Sequence, residues 1–328
     1  MPSRRAALAV SLLAAGLAPA RGARAQDPAA YPDRPVRYIV PFAPAGITDM
    51  MARLLAQKLT EAWGRPVLVE NRPGGNAMIG ADAAAKAPAD GYTLLAITLT
   101  HAVNASLAAS PPYNLLRDFA PVSVLGAVPL VVCVNARSPH RALRDLMEAA
   151  RTGRMNVGTP GNGSPPHLAL ELIRRAAGAG ANLAHVPYRG GAPVVTDLVA
   201  GNLDFAIPNL PECLPQIRGG QLRGLAVTGE APHPLVADLP AAAAAGAPAL
   251  RITNWTAVLT GAAVPPPVLA RIEGATMAAL RDPGLARRAE EAGFGVLGWD
   301  AARSRAFIAE EVERWARLVA EAGIRADA

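Results

Sequence analysis

From residue 36 to residue 228 the chain repeats one alternation. A short β-branched, apolar run is followed by a stretch whose apolar residues recur at spacings of three, four or seven. Strands alternating with helices in this way build a helix-covered sheet, and the alternation predicts an α/β fold with parallel strands. Expected strands lie at 36–40, 67–70, 92–98, 122–126, 130–135, 155–159, 183–187, 203–208 and 224–228, and the run 252–260 has alternating character.

Helices are expected between them. Met50, Met51, Leu54, Leu55, Leu59 and Trp63 form one apolar stripe, Ala142, Leu143, Leu146 and Ala150 a second, and Leu168, Leu172 and Ile173 a third. A last helix over about 300–322 is expected to turn Phe307, Val312, Trp315, Leu318 and Val319 inward and its Glu and Arg residues outward. These stripes read as core. The proline-, alanine- and glycine-rich stretch 231–249 is expected to be a surface connection before a strand that returns to the first half.

The first residues read as a secretory leader: "MPSRR" is basic, 6–18 is a short apolar core, and "ARAQ" offers cleavage after Ala25. The apolar core is shorter than the roughly 20 residues that span a bilayer. Arg4 and Arg5 leave the general secretory and twin-arginine routes both open. The leader holds four arginines (Arg4, Arg5, Arg21, Arg24) and no acid, so the mature chain carries 32 − 4 = 28 basic against 26 acidic residues. That near balance, with no basic run, excludes a nucleic-acid partner. Cys133 and Cys213 sit in apolar surroundings and are expected as buried thiols, although export permits a bridge. No metal-ligand spacing and no cofactor motif occurs, so neither metal nor cofactor is expected.

Two segments share a plan. "YIVPFAPAGITDMMARLL" and "NVGTPGNGSPPHLALELI" each run from a strand through a Pro/Gly loop and a hydroxyl residue into an amphipathic helix. Thr48 or Asp49 can cap the first helix and Ser164 the second, with Pro165 at the first helical position. The repetition suggests two similar α/β lobes. Each junction aims the unpaired N–H groups of a helix start out of the carboxyl end of a strand, where open α/β sheets bind ligands and where an anion is favoured. Nucleotide-binding spacing is absent: there is no G-x-x-x-x-G-K-[ST], and "GTPGNGSPP" lacks the third glycine of G-x-G-x-x-G. Ser164 in "GNGSPPH" lacks the second glycine of a nucleophile elbow, and His101, His167 and His185 are the only plausible bases for an exported hydrolase, the rival reading.

"YPDRPVRYIVPFAPAGITDMMARLLAQKL", "RPVLVENRPGGNAMIGADAAAKAPADGYTLL", "GNGSPPHLALEL", "HVPYRGGAPVVTDLVAGNLDFAIPNLP" and "LRGLAVTG", in that order, resemble the receptors of the tripartite tricarboxylate transporter family, the Bug-type periplasmic solute-binding proteins. The resemblance spans about 31–324. It implies a two-lobed periplasmic-binding-protein (Venus flytrap, type II) fold with the ligand cleft between lobes. Lobe 1 would comprise 26–128 with 251–328, and lobe 2 would comprise 129–250. It further implies a monomeric receptor without enzymatic activity that binds a small carboxylate in the periplasm. Delivery to a two-subunit membrane permease, or signalling to a membrane partner, would follow.

Residue by residue, the resemblance implies a first-lobe pocket of Phe42, Ala45, Gly46, Ile47, Thr48 and Asp49. Phe42 would be a wall and Ala45–Ile47 would offer backbone N–H groups, while Thr48 and Asp49 serve equally well as caps. Thr98, Thr100 and His101 match a ligand-facing loop, with His101 equally readable as structural. In the second lobe Asn162, Gly163, Ser164 and His167 match one loop, Tyr188, Gly190, Gly191 and Ala192 another, and Asn209 a third; Arg189 reads as a rim charge. Two departures stand out. The family loop commonly reads P-F-P-P-G-G, and here it is "PFAPAG", so Ala45 is strained wherever glycine would take a positive φ. Pro208 stands where relatives often carry an acid, which predicts a preference for plain carboxylates over amino acids.

Overall fold

A computed structural model describes residues 31–178 and 180–325, so the expected leader lies outside the described residues. The first passage of the chain comprises β1 (Val36–Val40), α1 (Ile47–Trp63), β2 (Val67–Asn71), α2 (Met78–Ala85), β3 (Thr93–Thr98), α3 (Leu99–Leu107), α4 (Leu115–Asp118) and β4 (Phe119–Pro129). The second comprises β5 (Val131–Asn135), α5 (Leu143–Thr152), β6 (Arg154–Thr159), α6 (Pro165–Ala177), β7 (Asn182–Pro187), α7 (Gly191–Ala200), β8 (Phe205–Ala206), α8 (Leu210–Arg218) and β9 (Leu222–Val227). The third comprises β10 (Thr253–Gly261), α9 (Pro266–Leu280), α10 (Pro283–Glu291), β11 (Gly295–Val296) and α11 (Ala301–Ala322). Among the described residues no helix is long and apolar enough to cross a membrane.

The strands form two sheets, ordered β2-β1-β3-β10-β4-β11 and β7-β6-β8-β5-β9. The first five positions follow one plan. In each sheet the opening strand-helix units pair in parallel, β1 with β2 and β3, β6 with β7 and β8. In each, the fourth position is taken by a strand arriving from the other sheet, and it runs antiparallel: β10 against β3 and β4, β5 against β8 and β9. The sheets are therefore mixed rather than parallel throughout. The expectation of parallel pairing holds for the βαβ units and fails where the chain crosses, because a strand entering from the neighbouring sheet comes in at the opposite end. The internal echo maps onto β1-α1 and β6-α6, the same position in the two sheets.

The crossings are short and tied together. Only Leu130 separates β4 from β5. Thr228, just past β9, accepts from the Leu130 N–H at 3.0 Å and donates to the Ile252 carbonyl at 2.6 Å, so one buried hydroxyl joins both crossing segments. The stretch 231–249 is not merely a surface connection. Ala241, Ala242 and Ala247 are buried, and Ala242 donates to the Val227 carbonyl.

One apolar core runs from Ile39, Leu95 and Ile97 in the first sheet to Val157 and Phe205 in the second and Leu168 of α6, with Trp255 and Trp315 inside it. A smaller core on the second sheet contains Cys133 and Cys213, both buried free thiols. The last helix departs from its sequence pattern at Glu311, which is buried rather than outward. The indoles of Trp255 and Trp315 each donate to its Oε2 at 2.8 Å, and Arg314 pairs with its other oxygen.

Candidate ligand-binding site

Six helix starts among the described residues follow the carboxyl ends of the parallel strands: α1, α2 and α3 on the first sheet, α6, α7 and α8 on the second. Each helix start exposes up to four N–H groups that its own turns cannot satisfy. What caps those groups decides which start can receive an anion.

At α1 the loop from Phe42 folds around Asp49. The Asp49 carboxylate accepts the Ala45 N–H at 3.0 Å, Arg53 Nε at 2.9 Å and Asn71 Nδ2 at 2.8 Å, and Asn71 also donates to the Phe42 carbonyl at 3.1 Å. Burial alone would raise the Asp49 pKa. Arg53, the Ala45 N–H and Asn71 outweigh it and hold the carboxyl below its ordinary range. Asp49 is thus occupied in shaping the loop, and the Ala45 N–H is occupied with it. Ala45 has φ 66°, so of the two outcomes open to the alanine-for-glycine departure the chain takes the strained left-handed one. Gly46, at the N-cap, brings no side chain to cap the helix. Among the described residues the N–H groups of Gly46, Ile47 and Thr48 have no acceptor, and neither has the Thr48 hydroxyl. Residues 43–46 are exposed, with Phe42 and Ile47 half-buried beside them.

The α3 start is closed by its own side chains. Thr98 Oγ1 accepts the Thr100 N–H at 3.3 Å, and His101 Nδ1 accepts the Thr98 N–H at 3.1 Å. His101 is fully buried, which pushes its pKa down to about 3 and keeps the ring neutral. Its ring meets Phe42 edge to face, 5.9 Å between centroids. His101 therefore supports the wall residue Phe42 from behind, while the Thr100 hydroxyl has no protein partner among the described residues.

At α6, Ser164 donates to the Gly161 carbonyl at 2.6 Å and accepts the His167 N–H at 3.4 Å, and Pro165 and Pro166 carry no N–H. His167 Nδ1 accepts the Gly163 N–H at 3.1 Å, and its ring stacks on His185 at 4.1 Å. Its Nε2 lies 3.5 Å from buried Glu171. Burial would raise the Glu171 pKa, but His167 and Arg174 lower it on balance. Ser164 and His167 are a cap and a brace. His167 offers the serine hydroxyl no free ring nitrogen, so a nucleophile–base pair is not formed. The loop also reaches the first sheet. Asn76 Nδ2, bonded to Asn104 Oδ1 at 2.8 Å, lies 3.5 Å from the Asn162 carbonyl, and Gly163 is seated on Leu107.

The α7 and α8 starts are linked by a residue that the sequence reading did not single out. The Glu212 carboxylate accepts the Asn209 N–H at 3.1 Å and lies against Gly191, where an added methyl carbon would fall 2.6 Å from it. Gly191 is small because that carboxylate occupies the helix start, while Gly190 beside it takes φ 112°, a conformation that favours glycine. Burial pushes the Glu212 pKa up against the hydrogen bonds from Asn209. Tyr188 turns away and donates to Asp197 Oδ2 at 2.6 Å, Ala192 follows in the first turn of α7, and Arg189 is exposed. Asn209 Oδ1 accepts Asn254 Nδ2 at 3.1 Å, joining α8 to β10. Glu212 was legible as the acid of an N-x-x-E capping box in "NLPE". Asn254 and Asn71 carry no local signal, because their partners are distant in sequence.

Among the described residues α1 and α2 have neither a side-chain cap, nor proline in the first turn, nor a carboxylate facing them from another element. At α2 the Met78 and Ile79 N–H groups donate to the Gly75 and Gly74 carbonyls, whereas at α1 those of Gly46, Ile47 and Thr48 stay unpaired. A small anion is suited by that start, with Thr48 and Thr100 as neighbouring hydroxyls.

A family model described as the tripartite tricarboxylate transporter family receptor matches residues 51–324. Protein BugT of Bordetella pertussis (strain Tohama I) is 36% identical over 297 residues, 90% of this chain and 91% of that protein. The solved structure of Rpa4515 from R. palustris with adipate has a TM-score of 0.83 and 32% identity, covering 90% of this chain and 100% of that one. MatC (Rpa3494) from Rhodopseudomonas palustris with bound malate has a TM-score of 0.79 and 27% identity, covering 88% and 100%. With its two-lobed fold and its non-catalytic helix starts, the chain belongs to the tripartite tricarboxylate transporter receptor family, whose members are periplasmic solute receptors and not enzymes.

Proposed function

We propose that the protein is exported by its leader, released after Ala25, and acts as a monomeric receptor that hands a small organic acid to a two-subunit membrane permease. The acid's carboxylate sits on the N–H groups of Gly46, Ile47 and Thr48, with the Thr48 and Thr100 hydroxyls beside it and Phe42 as the wall. Lobe 1 consists of 26–128 with 251–328 and lobe 2 of 129–250, a division supported by the crossings at Leu130 and between Thr228 and Thr253. The second lobe contributes Asn162, Gly163 and Asn209 at its edge, while Ser164, His167 and Tyr188 hold the loops that carry them. Adipate and malate in two relatives support a carboxylate as ligand.

The observation that carries the reading is the start of α1, where the Gly46, Ile47 and Thr48 N–H groups have no acceptor among the described residues. A helix start with its free donors favours an anion, by up to about 2 kcal/mol when partly buried, and charge-assisted hydrogen bonds add to this. A thermal-shift screen over mono-, di- and tricarboxylates, aromatic acids and amino acids tests it. A true ligand at a hundred times its Kd adds about 2.7 kcal/mol, read as a rise of roughly 5 °C, and is recovered unchanged. If no acid of any class raises the melting temperature, the reading is wrong.

A further inference from the structure

We infer that Asn254, held by Asn209 and Glu212, selects among organic acids for those that carry a hydrogen-bond donor, a hydroxyl or an ammonium group, next to the carboxylate. This rests on the carboxylate-receptor reading and adds to it the chemical class of the ligand.

The three residues are joined in a row, Glu212 to the Asn209 backbone and the Asn209 side chain to Asn254. The Glu212 carboxylate accepts from the Asn209 backbone N–H at 3.1 Å. The Asn209 side chain turns its Oδ1 to Asn254. Asn254 must answer that oxygen with its own NH₂, as it does at 3.1 Å. What is left at the far end is Asn254 Oδ1, a buried acceptor without a partner among the described residues. Asn254 is 7% exposed and Asn209 5%. A reversed Asn254 amide would set its oxygen face to face with Asn209 Oδ1.

This row lies at the edge that carries the proposed site. β10 pairs with β3 from Thr256 opposite Thr98, which places Asn254 two residues past the end of β3, beside the turn into α3. Its partner Asn209 is the N-cap of α8 on the other sheet. The amide pair thus bridges the two sheets where β3 and β8 release their chains.

Buried acceptors find donors. An ionised carboxylate has only acceptor oxygens, so a second carboxylate of a plain diacid would meet Asn254 Oδ1 oxygen to oxygen. A hydroxyl or an ammonium group answers it. The acid missing at Pro208, which led to the expectation of plain carboxylates, is supplied instead by Glu212 four residues later.

Calorimetric titration of the mature protein with three matched acids tests the inference: succinate, malate and aspartate, followed by glutarate, 2-hydroxyglutarate and glutamate. The expected result is that a donor-bearing member of a set binds about tenfold or more tighter than its plain counterpart, as one charge-assisted or buried hydrogen bond gives. In N254L, and separately in E212Q should N254L fail to fold, that ratio falls towards one. A wild-type ratio near one, or a preference for the plain acids, overturns the inference and leaves the carboxylate receptor standing. A ratio that persists in both variants overturns the assignment to these residues. Failure of all six acids, together with a flat thermal-shift screen, overturns the receptor reading itself and this inference with it.

Discussion

Ala45 and Asn71 show how the α1 loop is held. Ala45 takes φ 66° although it has a side chain, and its N–H is fastened to Asp49, which Asn71 and Arg53 fasten in turn. The left-handed conformation costs an alanine about 1–2 kcal/mol, while glycine gives back part of that gain through its freer unfolded chain. Ala45→Gly is therefore expected to raise stability by about 0.5–1 kcal/mol, measured by urea unfolding; a loss of stability would mean that the methyl group packs favourably. His101 gives a prediction in pH. Its folded pKa is depressed to about 3 by burial, so the native state binds fewer protons than the unfolded state between that value and the ordinary 6.5. Stability then falls as pH drops through this window, by roughly 3 kcal/mol between pH 6.5 and pH 4. Carboxylates with lowered pKa, such as Asp49 and Glu171, add their own loss in the acid range, so the comparison is with His101→Asn. Urea unfolding at pH 6.5 and pH 4 should show a clearly smaller loss in the variant; an equal loss contradicts the assignment.

Among the elements, helix starts separate the roles of the two halves. The sequence patterns located β1, the βαβ succession and the echo between β1-α1 and β6-α6, because these rest on local periodicity and on loop chemistry that neighbouring residues carry. Short pieces escaped it. β11 has two residues, too few for any period, and β8 contracts to Phe205–Ala206 from the expected 203–208. Glu311 was assigned to solvent by the helical pattern, since the two indoles that bury it come from β10 and from its own next turn. The site divides the same way: the junction loops were legible, but Glu212 and Asn254 join only when both sheets are assembled. Ser164 tests the distinction between cap and ligand contact at this scale. Its hydroxyl closes the α6 start through Gly161 and His167, so Ser164→Ala is expected to cost about 1 kcal/mol of stability, a melting-temperature fall of a few degrees. No change in melting temperature would show that the cap is dispensable.

In the whole molecule, two sheets of matching order exchange one antiparallel strand each, and the crossings meet at Thr228. Such an arrangement leaves the carboxyl ends of β1, β2 and β3 on one sheet and of β6, β7 and β8 on the other as the edges that carry the loops. The second sheet reaches the first through Asn76 and the Asn162 carbonyl, through Gly163 on Leu107, and through an ion pair between Arg175 of α6 and Glu321 of α11. On this frame the central claim is that backbone donors at the start of α1, rather than any charged side chain, seat the ligand's carboxylate. Ile47→Pro tests it most directly. Proline is suited to the first helical position, and Gly46 before it already has the extended φ −75°, ψ 169° that a following proline requires, so the helix survives while one N–H is deleted. Ile47→Ala controls for the lost side chain. Calorimetry with the tightest acid of the screen should show Ile47→Pro weakened by roughly 10- to 100-fold relative to Ile47→Ala, as the loss of one hydrogen bond to a charged group implies. Equal affinity in the two variants, with both folded, would contradict the account.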